Sequence, residues 1–135
     1  MARDRKENCP PQLDMNKKVL VVDDHHDTSL LLCRVLKTEG YDVHHAIDGV
    51  VGLSSAKRVH PDLIVTDVQM PRMNGIEMIR LLRESDECRR VPIIVISSYG
   101  KHVMEDALSA GADQFVAKPI DVDELLIQVK TRLAN

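Results

Sequence analysis

Aromatic residues are nearly absent from this chain: two Tyr, one Phe and no Trp among 135 residues. A ring-packed core is therefore excluded, and the interior has to be aliphatic, built from Leu, Ile, Val and Met. Basic residues do not dominate. The formal net charge is −3 at pH 7, the wrong sign for a broad nucleic-acid-binding face. Cys9, Cys33 and Cys88 are odd in number and match no metal-binding or redox spacing. They read as free thiols in a reducing compartment, with Cys33 and Cys88 partly buried. No apolar run approaches the roughly 20 residues of a membrane span, and no signal-peptide core is present. A soluble cytoplasmic protein without membrane contact is the expectation. Internal repeats and low-complexity segments are also missing.

What is present is a regular alternation. The length favours one domain, and a domain near this size buries roughly two-thirds of its unfolded surface. Residues 1–16, "MARDRKENCPPQLDMN", are polar and carry two prolines, which predicts a flexible arm ahead of a domain over 17–135. Five short apolar runs follow at 18–23, 41–46, 62–67, 92–97 and 114–118. The first, third and fourth are nearly continuous, as in strands covered on both faces. Helical spacing fills the gaps. "HDTSLLLCRVLKTEG" stops at Gly40, a C′ residue by position. Asp48 precedes a weaker helix over 49–59, interrupted by Gly49 and Gly52. Further helices are predicted over 74–84 and 101–110, and Asp121 with Glu124 opens the last one as a capping box. Alternating strands and helices predict an α/β fold with a parallel sheet. Five units are too few for an eight-stranded barrel. An open doubly wound five-stranded sheet is expected, in the flavodoxin-like order 2-1-3-4-5.

"LIVTDVQMPRMNG", residues 63–75, begins as a buried strand and breaks at a carboxylate, Asp67. An unpaired buried carboxylate is costly, so either Asp67 escapes to solvent or something at that strand end needs a negative oxygen. The other strand ends are polar too: Asp23 and Asp24 after the first, Ser97 and Ser98 after the fourth, Lys118 and Pro119 after the fifth. In open sheets such ends line the ligand crevice. Three carboxylates so close repel one another unless a cation neutralises them. Oxygen donors at a small open site suit Mg²⁺. Lys118 and the Ser97 hydroxyl can hold a second anionic group. Together these groups describe phosphoryl transfer to a carboxylate, giving an aspartyl phosphate.

"VVDDHH", "DLIVTDVQMPRMNGIE", "IIVISS" and "GADQFVAKPI" also resemble the receiver domain of two-component response regulators, over about residues 17–133. The resemblance implies that Asp67 is the phosphoacceptor. It implies a metal site of Asp23, Asp24, Asp67 and the backbone carbonyl of Gln69, holding Mg²⁺, with Mn²⁺ as a substitute. Ser97 becomes the switch hydroxyl, Phe115 the switch aromatic and Lys118 the partner of the phosphoryl group. The implied partners are a histidine kinase or phosphotransfer protein and an output partner or attached output domain, engaged through the fourth helix, fifth strand and fifth helix. It further implies a domain that assists its own phosphorylation and dephosphorylation, and a cis Lys118–Pro119 bond. Tyr99 is expected to screen the phosphoryl group from water. Some winged-helix regulators dimerise through charged helix pairs; Ala107 and Gln128 stand where basic members would be sought, so that dimer is not expected.

Two other classes fit less well. A phosphatase with an aspartate nucleophile usually carries a second acid two residues on, and Gln69 cannot supply that proton. A nucleotide or flavin module needs a phosphate-cradling glycine loop, and "VVDDHHD" has no glycine. Of the six histidines, His44 and His45 point to opposite faces of a strand and cannot chelate together. His25 and His26 are placed to rim the pocket. "RESDECRR" reads as a solvated charged face, and Ser97 has a competing use as a helix cap.

Overall fold

The computed structural model describes residues 17–70, 72–98 and 100–134. The arm expected over 1–16, with Cys9, lies outside them, as does Tyr99. The elements are β1 (Lys18–Val22), α1 (His26–Thr38), β2 (Asp42–Ala46), α2 (Gly49–Val59), β3 (Leu63–Asp67), α3 (Gly75–Glu84), β4 (Ile93–Ser97), α4 (Lys101–Ala110), β5 (Gln114–Ala117) and α5 (Val122–Leu133). All neighbouring strands pair in parallel, in the order β2-β1-β3-β4-β5. The chain runs outward from β1 to β2, then crosses back to β3. The switch point therefore lies between β1 and β3.

Continuous apolarity in β1, β3 and β4 is explained by two cores. Leu20, Val22, Ile64, Ile93 and Val95 face α2, α3 and α4 and pack on Ala56, Met78, Ile79, Leu82 and Ala107. The intervening residues Val19, Val21, Leu63, Val65, Ile94 and Ile96 face α1 and α5 and pack on Leu32, Leu36, Leu125, Val129 and Leu133. Successive strand side chains point to opposite faces, so both sets must be apolar. The edge strands break the pattern: β2 with exposed Asp42 and His45, and β5 with Gln114 and exposed Ala117. Ala107 is fully buried in this packing.

The polar residues between the runs act as stops. Asp48, Asn74 and Asp121 accept the backbone N–H of Val51, Glu77 and Glu124 at 2.9, 2.9 and 3.2 Å, as N-caps do. Gly40 and Gly111 close α1 and α4 at φ of 98° and 124°, backbone that favours glycine. Gly52 lowers the propensity of α2 but lets it approach. A Cβ there would stand 2.8 Å from Met78 Sδ and 3.0 Å from Val22 Cγ1. The Lys118–Pro119 bond is cis, as expected.

Most charged residues of the segment 83–90 form the solvated face read from the sequence, but Arg83 does not. Arg83 donates to the carbonyls of Gly111, Cys88, Arg89 and Val91 and pairs with Asp113 at 3.0 Å. The Cys88 carbonyl also accepts the Val91 N–H at 3.2 Å, and one guanidinium supplies donors to carbonyls at the end of α4 and in the turn before β4. Cys88 is fully buried beside it and Cys33 is half-buried. Burial pushes both thiols up, which suits inert cysteines.

Candidate functional site

Four strands deliver polar residues to one edge of the sheet. Asp67 and Ser97 are the last residues of β3 and β4; Asp23 and Lys118 stand one past β1 and β5. The register aligns them: Val22 opposes Thr66, Asp67 opposes Ile96 and Ser97 opposes Ala117. The expected strands at 18–23 and 114–118 end one residue early, although the Asp23 and Lys118 N–H groups still bond the Ala46 and Ser97 carbonyls at 3.0 Å.

Asp67 is buried, at 5% exposure, and its charge is met from two sides. Oδ1 accepts the Val68 N–H at 2.6 Å, and Oδ2 accepts from Lys118 Nζ at 3.0 Å. Lys118 reaches across β4 to do this, from the far strand of the sheet. Ser97 lies at the end of that intervening strand and is 1% exposed. It does not cap α4; Gly100 holds the cap position without a side-chain bond. Phe115 is half-buried on β5 and packs against the core under α3 and α4. Gln69 is exposed in the loop leaving β3.

The acidic pair approaches from β1. Asp23 is buried, whereas Asp24 is about one-third exposed. Asp23 Oδ1 accepts the His25 backbone N–H at 2.7 Å, and His45 Nε2 donates to the Asp23 carbonyl at 3.0 Å. His25 Nδ1 lies 3.3 Å from Asp23 Oδ1, 3.3 Å from Asp24 Oδ1 and 3.6 Å from Asp67 Oδ2. One donor atom from each of these four residues lies within 4.8 Å of the others. Opposite ligands of an octahedral ion stand roughly 4.2 Å apart, at about 2.1 Å per bond. A spread of up to 4.8 Å is a little wider than this, so the donor set suits a small divalent ion once its side chains close in by a few tenths of an ångström, roughly the excess over that octahedral span. Charge agrees: three carboxylates against the Lys118 ammonium leave two negative charges.

Burial holds the Asp23 carboxyl above the ordinary carboxylate range. The His25 N–H bond opposes this and the Asp67 charge adds to it. The native state thus binds this proton more tightly than the unfolded chain. Stability of the metal-free protein should fall as pH rises from about 4, the ordinary aspartate value, through the raised native value. Asp23→Asn should remove that slope. It should raise the Tm of the metal-free protein at neutral pH by a few degrees, the scale of about 1 kcal/mol in such a domain. Thermal melts from pH 4 to 8 in EDTA check this; an unchanged slope would refute it.

Beyond the strand ends, Arg72 Nε and its NH2 group contact Asp48 Oδ2 at 2.9 and 2.8 Å. Arg72 sits at φ 68° in the loop after Asp67 and ties it to the start of α2. The sequence reading missed this pair, the His45 contact and the closeness of His25 to all three acids. Only the position of His25 beside the acidic pair gave a signal.

A family model described as the response regulator receiver domain matches residues 19–130. The chain belongs to the response regulator receiver domain family. This receiver domain is 34% identical to sporulation initiation phosphotransferase F of Bacillus subtilis over 120 residues, covering 88% of this chain and 95% of that one. It is similar to the crystal structure of a response regulator from Chloroflexus aurantiacus, with a TM-score of 0.84 and 29% identity over 89% of this chain and 99% of the other. A receiver domain of a Pseudomonas aeruginosa sensor histidine kinase, solved with a magnesium ion in its active-site cleft, gives a TM-score of 0.83 at 28% identity, over 89% and 99% of the two chains. The acidic pocket of Asp23, Asp24 and Asp67 in this receiver domain fits a phosphoacceptor site. No helix among the described residues is long and apolar enough to cross a membrane.

Proposed function

We propose that Asp67 accepts a phosphoryl group from a phosphohistidine of a histidine kinase or phosphotransfer protein, in the cytoplasm. The observation that carries this is one buried carboxylate, ion-paired to Lys118 and flanked by two further acids. Asp67 is the nucleophile. The Val68 N–H orients its carboxylate, and Lys118 is placed to move from the carboxylate to a phosphoryl oxygen. Ser97, on the strand between them, supplies a hydroxyl for another. Asp23, Asp24, Asp67 and the Gln69 carbonyl would hold Mg²⁺, with Mn²⁺ as a substitute. Such an ion neutralises charge on the transferred group. The chain positions the reacting atoms and so assists its own phosphorylation and the loss of phosphate; it has no separate substrate to turn over. The receiver domain spans residues 17–135 behind the arm.

Phosphorylation then biases the loops after β3 and β4 between two states and alters partner binding on α4, β5 and α5. Leu108 and Ile127, on α4 and α5, are exposed apolar side chains at 42% and 62%, in keeping with an output surface there for a partner or attached domain. Ser97 and Phe115 are the side chains that link this face to the pocket.

The reading is tested with acetyl phosphate. In Mg²⁺ the intact mass should rise by one HPO₃, and in EDTA it should not. Equal labelling in EDTA, or none in Mg²⁺, would contradict the proposal.

A further inference from the structure

The imidazole of His25 sits where no oxygen-only site needs it. Its Nδ1 is 3.3, 3.3 and 3.6 Å from one oxygen each of Asp23, Asp24 and Asp67. These separations fall between roughly 3.0 and 4.2 Å, the distances between adjacent and opposite ligands of an octahedral ion with bonds of about 2.1 Å. The residue is anchored: its backbone N–H bonds Asp23 Oδ1 at 2.7 Å. His25 is also the N-cap of α1, yet its side chain makes no capping bond there. The ring turns instead toward the acids, with 60% of the side chain still exposed.

We propose that His25 is a further ligand to the divalent ion of this receiver domain and shifts the site's preference from Mg²⁺ toward first-row transition ions. The inference rests on the reading above that Asp23, Asp24 and Asp67 hold such an ion. Mg²⁺ prefers oxygen and gives up its waters reluctantly. An imidazole nitrogen adds little to its binding. Mn²⁺ and, more strongly, Co²⁺ accept imidazole alongside carboxylates. The side chain therefore sets metal selectivity, whereas the carboxylates set the charge. The competing geometry has the ring as a hydrogen-bond donor standing in the ion's place. It would then have to leave before any ion could enter.

With no Trp in the chain, calorimetry replaces fluorescence quenching. Mg²⁺ and Co²⁺ are titrated at one pH into the full chain, His25→Ala and Asp24→Ala. Pulsed electron paramagnetic resonance is recorded on the Mn²⁺ complexes. The exposed His25 should be replaceable without loss of fold, checked by circular dichroism. His25→Ala should weaken Co²⁺ binding about tenfold and change Mg²⁺ binding less than twofold. Nitrogen modulation in the Mn²⁺ spectrum of the wild-type chain should vanish in His25→Ala. Asp24→Ala should weaken both ions. Equal loss of both ions in His25→Ala, tighter binding of both, or no nitrogen modulation in the wild-type chain would overturn the role of His25 alone. Failure of the wild-type chain to bind either ion would overturn the metal site itself.

Discussion

Asp67→Asn should reduce phosphoryl incorporation to background, both from acetyl phosphate and from a phosphorylated histidine donor. The substitution is close to isosteric and keeps an oxygen for the Val68 N–H. It removes the nucleophilic carboxylate and the anion that Lys118 meets at 3.0 Å. Two carboxylates remain nearby, so the loss is not trivial. Asp23 is buried against the His25 N–H, and Asp24 stands at the open edge. The Lys118 charge is felt at Asp23, but its ammonium pairs with Asp67 at 3.0 Å, which sets that carboxylate beside the charge an anionic phosphoryl group requires. Intact mass spectrometry reads the outcome, and full labelling of Asp67→Asn would refute the assignment.

Gly75→Ala should destabilise the protein by about 3 kcal/mol or more, the scale of forced overpacking against an immobile neighbour. The added methyl group would run into the Asp67 carbonyl oxygen far inside contact distance and stand 3.1 Å from Val68 Cα. Both obstacles are backbone. They are held by the Gly75 N–H bond to the Val68 carbonyl at 2.8 Å and by the β3–β4 ladder. Whatever yields moves the end of β3, and Asp67 moves with it. Slower phosphorylation should therefore accompany the lost stability. Gly100→Ala is the control, since a Cβ there meets nothing within 4 Å; it should cost no more than about 1 kcal/mol, the scale of an alanine at an N-cap. Urea unfolding of the two variants makes the comparison. Equal stabilities would show that close approach at Gly75 is not what the site requires.

The glycine of "MPRMNG" thus has a physical reason that the sequence shows only as a motif. More of the site was legible. Runs of Val and Ile ending on Asp23, Asp67, Ser97 and Lys118 place those residues at strand ends, and parallel alternation puts strand ends together. The helix starts at Asp48 and Asp121 were readable because their bonds close within three residues, whereas Asn74, expected as the first helical residue, is the cap. Arg83 and Arg72 were not readable. Their partners at Gly111 and Asp48 lie 28 and 24 residues away, and only the packing of α3 beside α4 and α2 brings them close. A local charge pattern looks the same whether its arginine meets water or a row of carbonyls. His25 is intermediate: its position beside the acidic pair was visible, but not the turn of its ring toward all three acids.

The side chain of Asp67 itself is expected to carry the phosphoryl group. The most direct measurement of this is reduction of the freshly phosphorylated protein with borohydride, which converts an aspartyl phosphate to homoserine, followed by peptide mapping. Homoserine is expected at position 67 and nowhere else. Homoserine at 23 or 24, or an acid-stable phosphate on a serine or threonine with residue 67 unchanged, would contradict it.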